Sequence, residues 1–139
     1  MVTAHDIRDH YAHCTPHLAR LRMVARYEVG EPLPAAVADE VGQEISVILA
    51  EAQTAASVAV AAVTGTRRRA VAGLLSARLA RLAAAAREAT DAAQQADVAM
   101  LGRKLRRFEV LTSAMWTVQQ AMSGRPAAVR PVRPAPQRA

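Results

Sequence analysis

Aromatic side chains are nearly missing from this 139-residue chain, which has one Phe, one Trp and two Tyr. A core of packed rings is therefore excluded. So is a base-stacking platform for single strands, because Phe108 and Trp116 fall on or beside an apolar helix face. Cys14 is the only cysteine, which excludes an internal disulfide. Lysine is reduced to Lys104, so the other 17 basic residues are arginines. Neither Gly nor Pro occurs between Leu74 and Leu101, and no β-branched run alternates with period two, so strands are not expected. The chain has no G-x-S-x-G elbow, no P-loop, no dinucleotide-binding glycine pattern and no HExxH, and no catalytic activity is expected of it. Its first ten residues, MVTAHDIRDH, carry two acids and no apolar run. They do not read as a secretory signal, and the expectation is a cytoplasmic protein.

What the chain has in abundance is alanine, at 33 residues. Alanine is the strongest helix former, and this composition predicts helices packed closely through small side chains. Apolar residues recur at spacings of three and four in each long segment. Val37, Val41, Ile45, Ile48, Ala52, Ala55, Ala59 and Ala62 define one face of a helix over 34–64. Val71, Leu75, Leu82, Ala86, Ala89 and Ala93 define a second, and Val98, Leu101, Leu105, Phe108, Met115 and Met122 a third. The last two sets are rotated relative to each other, and Asp91-x-x-Gln94 resembles a capping box. Residues 67–122 are then either one very long helix or two helices broken near 90–97. Thr66 is placed to cap the start of this region.

Thr15-Pro16 reads as N-cap and first turn of a shorter helix running to about Glu28, since proline lacks the N–H that is unpaired there anyway. Residues 1–15 then form a polar, histidine-rich lead-in, 16–122 the helical domain, and 123–139 a separate tail. The tail reads SGRPAAVRPVRPAPQRA, with four prolines, four arginines and no acid, and is expected to be disordered with polyproline II character. The expected architecture is all-α: an antiparallel bundle of three long helices plus a short N-terminal helix, followed by this tail. Residues 45–63 are apolar enough to suggest a membrane span, but Glu51 and Gln53 stand in the middle of them, so a bundle helix is the preferred reading.

Three features point to chemistry. All four histidines and the only cysteine fall within residues 5–17. Imidazole and thiolate suit zinc or another transition metal, and His10, His13, Cys14 and His17 are the candidate ligands. Secondly, charge is unevenly divided. Residues 1–66 hold four Arg against eight acids, and residues 67–139 hold 14 basic residues against four acids. Arg67, Arg68, Arg69, Arg103, Lys104, Arg106 and Arg107 are the candidates for contact with nucleic-acid phosphates. Thirdly, the Ala61-x-x-x-Gly65 turn between two apolar segments resembles a helix-turn-helix over 57–75, in which Arg67–Arg69 would open the recognition helix.

Alanine-dominated faces bury little area per residue, so a partner surface is expected to complete the fold. The functional expectation is a non-catalytic helical protein–protein interaction or oligomerisation module with a basic tail and no obligatory cofactor. The alternative is a nucleic-acid-binding protein that uses the basic half.

Overall fold

A computed structural model describes residues 4–28 and 30–122, with side chains from residue 8 onward. It contains four helices: α1 (Ala4–Ala25), α2 (Ala35–Ala61), α3 (Arg67–Gln94) and α4 (Val98–Met122). They form an antiparallel bundle. α1 packs on α2 and α4, α3 packs on the same two, and α2 meets α4 across the diagonal. The expected tail over 123–139 lies outside the described residues.

The apolar faces read from the sequence are the faces that pack. Val41, Ile45, Ile48, Leu82, Leu101, Leu105 and Phe108 share one buried cluster with Cys14, Leu18 and Leu21 of α1. Ala55, Ala59, Val63, Val71, Leu75 and Met115 make a second cluster at the end of the bundle where α2 hands over to α3. Phe108 heads the large side chains that are fully buried. Gln119 bridges the diagonal, its Nε2 donating to the Ala52 carbonyl at 3.1 Å. α2 is long and apolar enough to cross a membrane, yet in the bundle it packs against all three other helices.

One boundary and one cap differ from expectation. The N-terminal helix starts at Ala4 and runs through Pro16 without a break, so residues 4–15 belong to the bundle. Proline in a helix interior removes one hydrogen bond and crowds the carbonyl four residues before it. Both Pro16 and Ala12 are exposed, so water can serve that carbonyl. Thr66 does precede α3, but its side chain makes no capping hydrogen bond.

The break in the 67–122 segment falls at 95–97, inside the expected window but built by other residues than the expected capping box. Gln95 closes α3, and Ala96 takes a left-handed φ of 57°. The Asp97 amide returns to the Ala92 carbonyl at 3.1 Å and the Ala96 amide to Ala93 at 3.0 Å, the pattern of a Schellman stop. Asp97 then caps α4, its Oδ1 accepting from the Met100 amide at 3.0 Å. Asp91 and Gln94 remain inside α3. An alanine in the left-handed region is strained where glycine is not. Ala96→Gly is therefore expected to raise stability by about 0.5–1 kcal/mol. An unchanged or lower midpoint in urea would show that this stop is not strained.

At the same end of the bundle, α4 closes over the end of α1. A Cβ at Gly102 would meet the Ala25 carbonyl at 3.3 Å, so the small residue allows this approach. Arg106 donates to that carbonyl at 3.3 Å, supplying one of the partners the last turn of α1 needs.

Candidate functional site

The chemistry-bearing residues of α1 meet α2 along one seam. In an antiparallel pair a seven-residue step on each helix advances two turns, about 10.5 Å. His10 and His17 are separated by that step on α1, as are Glu51 and Glu44 on α2. The His10 Nδ1 lies 2.6 Å from Glu51 Oε1, and the His17 Nδ1 lies 2.9 Å from Glu44 Oε2. The other carboxylate oxygen of Glu51 is 3.4 Å from His13 Nδ1. Arg20 donates to both oxygens of Glu44, at 3.1 and 3.3 Å. Glu44 is nearly buried, and its two cationic or polar partners offset the cost of removing a carboxylate from water.

Cys14 sits one turn from His10 but faces inward, fully buried with Leu18 and Leu21. Burial, followed by the negative charge of Glu51, pushes its thiol up to about 12. At neutral pH it is a protonated, inert thiol. Native protein is expected to resist a thiol reagent such as DTNB at pH 8, and to react at once after unfolding in guanidinium. Fast labelling of the folded chain would contradict this burial.

These positions do not assemble the expected metal site. Cys14 points into the core, while His10 and His17 engage different carboxylates two turns apart. Among the described residues no group of three or more His, Cys, Asp or Glu side chains is placed to hold a metal ion. His5, the remaining histidine, has no described side chain. The residues that sequence reasoning missed are Glu44, Glu51 and Arg20. Their signal was the matched seven-residue spacing of two glutamates on α2 and two histidines on α1.

The basic candidates are split between faces. Arg106 turns to the end of α1, whereas Lys104 bonds Glu88 of α3 at 2.7 Å. That hydrogen bond, then the charges of Lys104, Arg107 and Arg87, holds the Glu88 carboxyl below its ordinary range. Arg103 contacts Met100 Sδ at 3.6 Å, and Arg107 is exposed. Arg67, Arg68 and Arg69 are exposed at the start of α3, with Arg68 Nε 3.4 Å from the Val60 carbonyl.

The helix-turn-helix geometry does not form. α2 and α3 stay side by side for their whole length. Ala38 and Gly42 share a cavity with Gln94 and Thr90 at one end, and Val60 and Ala61 share another with Arg68 and Ala72 at the other. Helices of that motif cross at about 90–120° and part within a few turns. The long apolar faces of α2 and α3, shared with α1 and α4, impose the hairpin instead.

No family model, curated protein or solved structure matches this chain.

The outer seam of that hairpin is open to solvent. Three cavities follow it, of about 590, 470 and 600 Å³. Their walls include the short side chains of Gly42, Ser46, Ala56, Ser57, Ala72 and Ser76 beside longer ones such as Gln53, Arg68 and Leu79. α1 and α4 lie on the other side, so no helix among the described residues covers this groove.

Proposed function

We propose that the chain is a non-catalytic, cytoplasmic helical module that binds another protein surface, either a partner or a copy of itself. The observation that carries this reading is the groove along α2 and α3. Its three cavities are spaced along the two helices between Asp39 and Arg69, short side chains line part of their walls, and no helix among the described residues covers them. The seam of His10, His13 and His17 on Glu51 and Glu44 supports the same reading from the other side. Its carboxylates are already engaged within the bundle and serve to hold α1 on α2 in one register.

The test is affinity capture by the full chain, with and without nuclease. A protein retained in stoichiometric amount after nuclease treatment is the expected result. Loss of every retained protein on nuclease treatment would instead favour nucleic acid.

That second reading has its own support. α3 and α4 together carry ten basic residues against three acids, while α2 carries four acids and no basic residue. Lys104, Arg107 and Arg87 gather around the single carboxylate of Glu88. Binding of duplex DNA through this side would weaken with salt, with a log–log slope of about −0.9 for each phosphate neutralised.

A further inference from the structure

The groove on α2 and α3 has opposite charge at its two ends. Asp39 lines one end, beside Gln43 and Ser46. Arg68 and Arg69 line the other, beside Gly65 and Thr66. Ala50 and Ala80 are small and exposed near the middle. Arg87 and Asp91 are exposed one turn apart on α3, and such a pair offsets its own charge.

We propose that this face binds a second copy of the chain, antiparallel, about a two-fold axis that crosses the groove near Ala50 perpendicular to the helices. Asp39 and Arg69 stand about 18 Å to either side of that axis at 1.5 Å per residue. The rotation therefore lays the Asp39 end of each copy over the Arg68–Arg69 end of its partner, twice in one interface. Such reciprocity is what a two-fold, self-complementary surface requires. The groove is about 36 Å long and two helices wide, which gives a footprint of about 700 Å² per copy. Stable interfaces bury about 800 Å² per partner. The short side chains lining it let two helical layers approach closely. A nucleic-acid backbone laid along the same groove would meet the carboxylate of Asp39. This assignment rests on the interaction-module reading and names the partner within it.

The test is the solution mass of the full chain by sedimentation equilibrium across a concentration series. Variants are Asp39→Lys, Arg69→Glu, the two together, and Ser76→Arg, each checked for helix content by circular dichroism. Asp39, Arg69 and Ser76 are all exposed, and none is part of the buried core. The wild type is expected to dimerise. Either single charge reversal should weaken the dimer about tenfold or more, since it places like charges together at both ends of the interface. The double reversal should restore it, and Ser76→Arg should abolish it. A dimer that ignores all four variants overturns this face as the interface while leaving the interaction-module reading intact. A wild-type chain that stays monomeric at every concentration also overturns the proposal. The broader reading then fails only if nuclease-resistant capture of a protein fails as well.

Discussion

Phe108→Ala is expected to cost about 3–5 kcal/mol, among the largest losses available from a single side chain in this bundle. Phe108 is fully buried and belongs to the cluster in which all four helices meet. The α3 members of that cluster are Leu82 and the alanines Ala85, Ala86, Ala89, Ala92 and Ala93, and alanines have no rotamer with which to fill the space left behind. The cavity should therefore stay open, which places the cost at the upper end of the range. Domains of this size are stable by only about 5–15 kcal/mol, so the variant should lose a large share of its stability. Thermal unfolding by circular dichroism should shift down by roughly 10–20 °C. A shift of only a few degrees would mean that the Ala-rich helices close in on the gap, and that the core is less fixed than described. The analogous change at exposed Val110 should be close to neutral.

The second large effect is a loss of stability in alkali that belongs to one side chain. The Cys14 thiol ionises near 9.0 when free and at about 12 in the fold, chiefly because burial disfavours the thiolate. Between those values the unfolded chain has released a proton that the folded chain retains. Stability is thus fully present below pH 9 and falls as pH rises toward 12. The slope approaches about 1.4 kcal/mol per pH unit, and the total approaches about 4 kcal/mol. The comparison is with Cys14→Ala, which removes this thiol alone. The variant should lose a little stability at pH 7 to its smaller side chain, but its alkaline limb should be shallower than that of the wild type. Parallel limbs in urea titrations at pH 8, 9, 10 and 11 would show that Cys14 is more hydrated than its place in the core implies.

The sequence made the helices and their inward faces legible because both are local properties. Alanine favours helix everywhere, and the larger apolar residues recur with the helical period, so Val41, Ile45, Leu82, Leu101 and Phe108 could be placed inward without a structure. The break at 95–97 was legible only as a change of face. Asp91 and Gln94 imitate a capping box, but the working cap is Asp97, and it depends on Ala96 adopting a conformation that alanine disfavours. Pro16 misled for a related reason. Proline prefers a first turn, yet the buried run of Cys14, Leu18 and Leu21 draws the chain through it as one helix. The seam of His10, His13 and His17 on Glu44 and Glu51 was not legible from neighbours in sequence, because the partners are 27 to 41 residues apart. Reading the histidines alone suggested metal ligands; in the bundle three of them face carboxylates of α2. The open groove is likewise a property of how two hairpins sit together, and no single segment encodes it.

We propose, on these features and on the charge division between α2 and the α3–α4 pair, that the bundle is a surface for other proteins first and for phosphates second. The proposed surface lies on α2 and α3, with α1 held behind α2 by the histidine seam and α4 tied behind α3 by Lys104 and Glu88.

The most direct measurement is light scattering of the full chain across a concentration series near 150 mM salt, alone and with duplex DNA. At that ionic strength exposed charges are screened beyond about 8 Å. The mass is expected to rise with protein concentration and to stay unchanged when DNA is added. A constant monomer mass alone, with a DNA complex that survives this salt, would contradict it.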